Sequence, residues 1–212
     1  MLTDKTEIEI ASRAKQKNVR DPARSREHFF AIMRDFFAGR TLSGSYVDLG
    51  PGQFDFGEIA RKEGGTCLGI DFDPAVVELG RYKGFRAIER NIQRLPKEPL
   101  GETFDGVFNK FTLNAFWTWD DEAAHRALIG ALVGLMKPEG WCWIGPWNGV
   151  PKKVALDETT IAATLDLQRR IFEEHGFTTV PLTDEQSRRY GIHGDVANNV
   201  VFIRNLVFKP VR

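Results

Sequence analysis

Short apolar runs alternate with amphipathic segments along most of the chain. The run Ser45–Gly50 (SYVDLG) enters the turn Gly50-Pro51-Gly52, as a buried strand followed by a tight turn would. The next segment has apolar residues at helical spacing and stops at a pair of glycines, after which Cys67–Asp71 (CLGID) indicates a second strand. A strand, a helix and a strand in this order predict a parallel crossover unit.

The same alternation continues toward the C-terminus. The further predicted elements are a helix at Pro74–Tyr82, strands at Arg86–Asn91 and Phe104–Asn109, a helix at Asp120–Met136, a strand at Trp141–Pro146, a helix at Thr159–His175 and a strand at Phe177–Leu182. A final strand, Asn199–Lys209, follows the connection Thr183–Asn198, in which we predict no helix, so it should run antiparallel to its predecessor. The predicted fold class is therefore α/β, a doubly wound, mostly parallel seven-stranded sheet with a C-terminal antiparallel strand.

Residues 1–42 precede the first predicted strand and form an N-terminal helical extension to a single domain at 43–212, since 212 residues are too few for two full domains. Within the extension, Arg24–Phe37 carries phenylalanines and a methionine at helical spacing. One interpretation is a helix packed on the domain. The other is a lid over a bound ligand, because a terminal helix near a cleft can exclude water from it.

Charge and composition narrow the possible partners. Lysine plus arginine and aspartate plus glutamate balance at 29 each, which argues against binding of long nucleic acid through its phosphates. No stretch approaches the roughly 20 apolar residues of a membrane helix, and Met1–Lys17 lacks the apolar centre of a secretory signal, so we expect a cytoplasmic protein with no membrane partner. Cys67 and Cys142 fall in apolar runs, where a thiol packs as a small hydrophobe, and we expect no metal site.

The turn after the first strand is the predicted ligand site, because ligands of open parallel sheets bind beyond the carboxyl ends of the strands. Gly50 and Gly52 let the backbone pass close to a bound molecule. Nineteen residues past Gly52, the second strand ends in Asp71, whose carboxylate can accept two ribose hydroxyls. These features predict a nucleoside pocket.

The turn also discriminates between nucleoside cofactors. A dinucleotide pyrophosphate would rest on the amino end of the first helix of the domain, where the fingerprint calls for a third glycine. This chain has Asp55 there, and a carboxylate repels phosphate. A sulfonium cofactor without phosphate tolerates the acidic neighbours Asp48 and Asp55, so the sequence favours S-adenosylmethionine over NAD.

At these residues the chain resembles the class I methyltransferases, from about Tyr46 to the C-terminus. The pieces that carry the resemblance are VDLGPG (Val47–Gly52), GIDFDP (Gly69–Pro74), RNIQRLP (Arg90–Pro96), FDGVFNKFTLNAF (Phe104–Phe116) and LMKPEGW (Leu135–Trp141). The resemblance implies a sheet of seven strands that ends in an antiparallel hairpin, and S-adenosylmethionine as the cofactor. Phe54 stands where the family often has a third glycine, a departure that bears on the path of the turn.

The resemblance also implies roles for individual residues. Gly50 and Gly52 would face the methionine part of the cofactor and Asp71 would hold the ribose. The other implied cofactor positions are Asp48 beside the turn, Phe72 against the adenine, Asn91 and Ile92 near the adenine amine, and Asn109 and Phe111 near the sulfonium. Asn91 replaces the usual aspartate, but its side-chain carbonyl can still accept a hydrogen bond from the amine.

The methyl acceptor is less clearly indicated. The segment after the fourth strand lacks the Asp/Asn-Pro-Pro-aromatic run of enzymes that methylate nucleic-acid amines, and with Asn114 it looks like the segment of enzymes that act on metabolites and sugars. His193 is the candidate general base, because the ordinary pKa of histidine lies near neutrality. The candidate acceptor residues are Asn114, Trp117 and Trp147, with the latter two as an aromatic wall, and Arg188, Arg189 and Tyr190 in the last connection. His125 is expected on the surface.

Three functions remain open at this point. The first is a methyltransferase for oxygen or nitrogen of a small-molecule acceptor. The second is an NAD-dependent oxidoreductase, against which Asp55 argues. The third is a protein that binds S-adenosylmethionine without catalysis, which the lack of an unambiguous base allows. The sequence leaves the oligomeric state open, including a homodimer.

Overall fold

The computed structural model describes residues 5–15, 17–20, 22–113, 121–147, 157–192 and 199–208. The described helices are α1 Lys5–Ser12, α2 Lys17–Arg20, α3 Pro22–Phe37, α4 Asp55–Lys62, α5 Pro74–Tyr82, α6 Glu122–Gly134, α7 Glu158–Glu174 and α8 Asp184–Arg189, with a 3₁₀ turn at Ile92–Arg94. The strands are β1 Ser45–Leu49, β2 Thr66–Asp71, β3 Arg86–Glu89, β4 Phe104–Lys110, β5 Met136–Trp147, β6 Thr178–Pro181 and β7 Val200–Arg204.

The seven strands form one sheet in the order β3-β2-β1-β4-β5-β7-β6. Neighbouring strands are parallel except β7, which runs antiparallel to both β5 and β6. The predicted doubly wound sheet with an antiparallel last strand is thus confirmed. The strand order reverses between β1 and β4, so the carboxyl ends of these two strands border the crevice where ligands of such sheets bind.

Alternating side chains of the strands supply two separate cores. Val47 and Leu49 of β1 point to the face covered by α6 and α7. Tyr46 points to the other face, together with the apolar residues of α3 and α4. Side chains on a strand alternate between faces with a period of two, so each strand contributes to both layers. Cys67 and Cys142 are buried, one on each face, as expected for thiols in apolar strands.

The aromatic stripe of α3 packs against the sheet. The ring centroids of Phe29 and Phe108 are 6.0 Å apart, those of Phe36 and Trp143 5.6 Å, and those of Phe37 and Trp141 5.0 Å. These edge-to-face pairs bury large apolar surfaces in a favourable geometry. α3 is therefore an integral layer of the domain, and closure of the N-terminal segment over a ligand stays a prediction.

The connection between β6 and β7 corrects one prediction, because it contains a helix, α8, where none was expected. Thr183 caps this helix. Its hydroxyl accepts a hydrogen bond from the Gln186 amide at 3.1 Å, and the Gln186 side chain accepts one from the Thr183 amide at 2.9 Å. This reciprocal pair is a capping box, which satisfies two amides of the first turn. The spacing Thr-x-x-Gln was present in the sequence and was the missed signal.

His125 also differs from expectation, since it is buried at 4% exposure. It lies on α6 three, four and seven residues before Leu128, Ile129 and Leu132, which are all buried. Residues at these spacings share one face of a helix. The imidazole therefore lies on the buried face of α6 and not on the surface.

A charged contact ties α8 to α3. Asp35 of α3 is buried at 2% exposure, and one of its carboxylate oxygens accepts hydrogen bonds from the Tyr190 hydroxyl at 2.5 Å and from the Arg189 guanidinium. The carbonyl of Arg189 also lies 3.0 Å from the imidazole Nδ1 of His28, which is about two turns before Asp35 on α3. Burial and the Asp35 carboxylate raise the pKa of Tyr190, which keeps its hydroxyl protonated as a donor.

The turn between β1 and α4 contains a left-handed phenylalanine. Phe54 has φ 64° and ψ 27°, a conformation that costs a residue with a side chain roughly 1–2 kcal/mol. Its ring is fully buried and stacks on Phe85, with centroids 5.1 Å apart. The space for the ring comes from two glycines, because an added Cβ at Gly69 or Gly80 would lie 2.3 or 2.1 Å from a ring carbon. Phe54 thus combines a left-handed backbone with a fully buried ring.

The Asp35 contact predicts a stability effect. Replacing Tyr190 by Phe removes a hydrogen bond to a buried carboxylate, so we expect the free energy of unfolding to fall by about 1.5–3 kcal/mol. Urea denaturation followed by fluorescence measures it. Tyr82→Phe, on the exposed side of α5, serves as the matched control and should change stability by less than about 0.5 kcal/mol. Equal values for the two variants would contradict the prediction.

The left-handed turn predicts an unusual order of variants. Replacing Phe54 by Gly or Ala removes the same ring, which should cost roughly 3–5 kcal/mol. Ala keeps the backbone penalty at φ 64° and Gly does not, so Phe54→Gly should be the more stable of the two by about 1 kcal/mol. Chemical denaturation of both variants measures the difference. An Ala variant as stable as the Gly variant would show that the left-handed conformation is wrong.

Candidate cofactor and acceptor site

The turn after β1 is closely packed between the ends of β2 and β4. The Gly50 amide donates a hydrogen bond to the Ile70 carbonyl of β2 at 2.8 Å. Gly50 has φ 79°, and a Cβ there would lie 1.9 Å from the Thr112 hydroxyl. Gly52 also has a positive φ, 52°. Gly50 is therefore packed against Thr112, Gly52 is buried, and the contact of both glycines with the cofactor stays a prediction.

Asp71 ends β2 with a buried carboxylate at 1% exposure. Its Oδ1 accepts a hydrogen bond from the Asp73 amide at 2.9 Å, whereas its Oδ2 is buried and has no hydrogen-bond partner among the described residues. Burial raises the pKa of this carboxyl to about 6, and the Asp73 charge adds to the effect. A buried acceptor atom that has no hydrogen-bond partner is suited to accept a hydrogen bond from a hydroxyl group of a ligand.

Phe72 follows Asp71 and keeps 39% of its surface exposed. The Lys15 ammonium lies 5.5 Å from its ring centroid, and the Lys15 amide donates to Asp73 at 2.7 Å. The chain between α1 and α2 therefore passes beside this ring. An exposed aromatic face next to a hydroxyl-binding carboxylate fits a nucleoside, as the sequence predicts.

Asn91 and Ile92 follow β3 at the same edge of the sheet. The side-chain carbonyl of Asn91 accepts a hydrogen bond from the Gln93 amide at 3.0 Å and caps the 3₁₀ turn. An amide oxygen has a second lone pair, so an additional donor can still be accepted. Ile92 is buried in the core, which leaves its backbone for any contact with a ligand.

Asn109 joins the ends of β1 and β4. Its side-chain amide donates to the Leu49 carbonyl at 2.5 Å, and its side-chain carbonyl accepts from the Leu113 amide at 3.2 Å. Phe111 next to it has φ 67°, and its amide donates to the Gly145 carbonyl of β5 at 3.0 Å. The polar atoms of Asn109 are thus committed to backbone groups that shape the crevice, while its predicted place near the sulfonium stays a prediction.

Asp48 and Lys110 bring opposite charges into the same region. Burial raises the pKa of Asp48 well above its usual value, and repulsion from Asp55 and Asp71 adds to the effect. Burial lowers the pKa of Lys110 to about 8, against the opposing attraction of Asp55 and Asp48. The sequence analysis did not single out Lys110. The available signal was a lysine at the end of an otherwise apolar strand.

The predicted acceptor residues are not brought together in the same way. Trp147 was expected in a loop facing the ligand, but it is the last residue of β5, 1% exposed, and its indole donates to the Gln168 side chain at 2.8 Å. It packs against Phe172 and Phe202 at centroid distances of 5.5 and 5.7 Å. Trp147 is therefore a core residue, and its assignment to an acceptor wall is corrected.

The three predicted residues of the last connection lie on or next to α8. Arg189 and Tyr190 contact Asp35 of α3, as described above. Arg188 is exposed and lies 3.8 Å from Asp184, one turn away. Asn114, Trp117 and His193 lie outside the described residues.

Comparison with known proteins gives one match to a family model. A family model described as a methyltransferase domain matches residues 47–144, which extend from β1 into β5. The comparison with curated proteins finds no match. The helices in the described part of the chain include none with both the length and the apolar character that a membrane crossing requires.

Solved structures with a similar fold include several methyltransferases. The N-methyltransferase NodS from Bradyrhizobium japonicum, in complex with S-adenosyl-L-homocysteine, is 14% identical with a TM-score of 0.56, over 94% of this chain and 97% of that one. The magnesium protoporphyrin IX methyltransferase from Synechocystis, with bound S-adenosylmethionine, is 15% identical with a TM-score of 0.55, over 92% and 86%. DesVI from Streptomyces venezuelae is 12% identical with a TM-score of 0.53, over 95% and 98%. At these identities the likeness concerns the fold.

The three kinds of observation agree. The family model covers the strands that carry the glycine turn, and the strand order matches the sheet that the sequence resemblance implies. The chain therefore carries a match to a methyltransferase domain over residues 47–144 and has the fold of the solved S-adenosylmethionine-dependent methyltransferases.

Proposed function

We propose that this methyltransferase transfers the methyl group to an oxygen or nitrogen atom of a small molecule. The observation that supports the cofactor side of the proposal is the buried Oδ2 of Asp71, which has no hydrogen-bond partner among the described residues and lies beside the exposed ring of Phe72. The ribose hydroxyls of the cofactor are donors of the kind that this oxygen requires. The residues present therefore fit the cofactor.

Different residues of the crevice would contact different parts of the cofactor. Asp71 would hold the ribose and Phe72 would contact the adenine, while the backbone of Gly50 and Gly52, both with positive φ, would lie against the methionine part. Burial and the neighbouring carboxylates raise the pKa of Asp48. An ammonium group of the cofactor near Asp48 would stabilise its ionised form. When bound, S-adenosylmethionine supplies an electrophilic methyl group on sulfur. The chain then has to orient the acceptor in line with it.

The acceptor class rests on weaker but convergent support. The charge of the chain is balanced, and the segment after β4 lacks the motif of enzymes that methylate nucleic-acid amines. The fold neighbours include an N-methyltransferase and a methyltransferase of magnesium protoporphyrin IX. Asn114, Trp117 and His193 remain candidates for contact with the acceptor, and a cytoplasmic location with a small-molecule partner, in a monomer or a homodimer, is part of the same proposal.

Substitution at Asp71 tests the cofactor pocket. Asp71→Asn keeps the shape but replaces the charged acceptor, so we expect the affinity for S-adenosylmethionine and S-adenosylhomocysteine to fall by about 10- to 100-fold. Isothermal titration calorimetry measures both dissociation constants. Asp105→Asn is the matched control, because Asp105 is the second residue of β4, at the amino end of the strand and away from the crevice, and the variant should leave both affinities unchanged.

Two results would contradict the assignment of the pocket. The first is wild-type affinity in Asp71→Asn. The second is binding of NAD by the wild-type protein in preference to S-adenosylmethionine, since Asp55 at the start of α4 should repel a pyrophosphate. Transfer of labelled methyl from the cofactor into small molecules of a metabolite extract tests the acceptor class, and label found only in macromolecules would overturn it.

A further inference from the structure

The first two helices lie outside the part of the chain that the methyltransferase family model matches, which begins at residue 47. We call residues 5–15 and 17–20 the α1–α2 segment. The segment shares a hydrophobic cluster with the ring of Phe54, in the turn after β1, through the buried residues Ile10, Ala11, Ala14 and Val19. It is therefore packed into the same core as a turn that is predicted to hold the cofactor.

Polar contacts tie both helices of the segment to the same turn. The buried side-chain amide of Gln53 donates a hydrogen bond to the carbonyl of Val19 in α2. The backbone carbonyl of Gln53 accepts a hydrogen bond from the Lys83 ammonium at 2.8 Å, and this ammonium also lies 3.1 Å from the carboxylate of Glu7 in α1. Gln53 is thus joined to α2 directly and to α1 through Lys83.

A further contact joins the segment to the loop after β2. The Lys15 amide donates to Oδ2 of Asp73 at 2.7 Å, while Oδ1 of Asp73 accepts from the Ala75 amide at 3.1 Å and caps α5. The Asp73 amide donates to Oδ1 of Asp71 at 2.9 Å. This bond occupies one oxygen of the Asp71 carboxylate, and Oδ2 has no hydrogen-bond partner among the described residues. Asp73 therefore connects the segment to the carboxylate that would hold the ribose.

The same end of the segment borders the predicted position of the adenine. The Lys15 ammonium lies 5.5 Å from the ring centroid of Phe72, which is half-buried between Asp71 and Asp73 in the sequence. A movement of the segment away from this loop would break the bond between the Lys15 amide and Asp73. It would thereby release a constraint on the loop that carries both Asp71 and Phe72.

We propose that Asp73 and Gln53 are positioning residues that couple the α1–α2 segment to the cofactor, and that the docked segment completes the adenosine side of the pocket. This inference rests on the proposed function. With the segment docked, Asp73 holds Asp71 so that Oδ2 faces the ribose hydroxyls. If only the docked state binds the cofactor tightly, the apparent affinity falls with the fraction of molecules in that state. The cofactor should in turn stabilise the docked segment.

Hydrogen–deuterium exchange of the wild-type protein tests the coupling without any substitution. Saturation with S-adenosylhomocysteine should slow the exchange of amides in the α1–α2 segment by a factor of about 5 or more, because the ligand holds the docked state. Helix α7 is the internal reference, since its buried side chains belong to a different hydrophobic cluster. The expected factor is the slowing in the segment beyond any slowing in α7, so general stabilisation of the domain by the ligand is removed.

Two substitutions loosen the segment at its contacts with the cofactor loops. Asp73→Asn keeps an N-cap for α5, because asparagine is a favoured cap, but its amide nitrogen cannot accept a bond from the Lys15 amide. Gln53→Met keeps a side chain of similar length and removes the donor to Val19. In both variants we expect the dissociation constants of S-adenosylmethionine and S-adenosylhomocysteine, measured by calorimetry, to rise about 3- to 10-fold.

Glu78→Gln is the matched control at the same interface. It breaks the exposed ion pair between Glu78 of α5 and Arg13, whose nearest atoms are 2.8 Å apart, and leaves the bonds of Asp73 and Gln53 in place. An exposed pair of this kind contributes little to stability. Both affinities should therefore stay at the wild-type value.

Labelled methyl transfer to the metabolite extract distinguishes positioning of the cofactor from a general loss of structure. With saturating S-adenosylmethionine, Asp73→Asn and Gln53→Met should transfer methyl within about 2-fold of the wild-type rate, because only the affinity is affected. Below the wild-type dissociation constant, the rate should fall in proportion to the affinity. A loss of rate in both variants that persists at saturating cofactor would contradict a positioning role.

The outcomes separate this inference from the proposed function. Absence of cofactor binding in the wild type would overturn both. If the wild type binds the cofactor, the coupling alone is overturned by equal slowing of exchange in the segment and in α7, or by wild-type affinity in both variants. If one variant does not fold, the other decides, and if neither folds, the exchange measurement on the wild type decides.

Discussion

The left-handed turn between β1 and α4 is the constraint on which the site depends. Gly50, Gly52 and Phe54 all have positive φ, and two hydrogen bonds join the start of the turn to two other strands. The Gly50 amide bonds to β2, and the carbonyl that precedes it accepts a hydrogen bond from Asn109 of β4. Because the ends of three strands meet here, a change in this turn would move the carboxylate of Asp71 relative to the end of β4. The Phe54 ring offsets the backbone penalty of the turn with apolar burial.

The buried carboxyl groups of the crevice destabilise the folded domain. Asp48 and Asp71 are buried carboxyls whose pKa values are raised, which means that their ionised forms cost free energy in the folded chain. Residues of this kind are typical of functional sites, where a ligand supplies the missing donors or opposite charge. A cation with hydroxyl donors satisfies both requirements, and S-adenosylmethionine is such a molecule. The cofactor should therefore stabilise the domain as well as take part in the reaction.

The fold was predictable because it follows from local patterns. A glycine follows β1 and a carboxylate ends β2, and parallel strands bring their carboxyl ends to the same side of the sheet, so the positions of Gly50 and Asp71 were predicted from sequence alone. The predicted acceptor residues depended on contacts between distant parts of the chain. Tyr190 contacts Asp35, 155 residues away, and nothing near Tyr190 in the sequence indicates that partner. Trp147 was misassigned because the apolar run of β5 continues one residue beyond its proline.

Lys110 illustrates the same limit within the cofactor site. Burial lowers its pKa to about 8 against the attraction of Asp55 and Asp48, which come from a helix and another strand, so the segment FDGVFNK alone does not indicate this shift. The chain and NodS share a similar fold at 14% sequence identity. Such a fold tolerates wide sequence change because it is specified by the spacing of apolar residues and the positions of glycines. Acceptor chemistry depends instead on a few side chains that such neighbours need not share. The substrates of its structural neighbours therefore do not identify the acceptor of this chain.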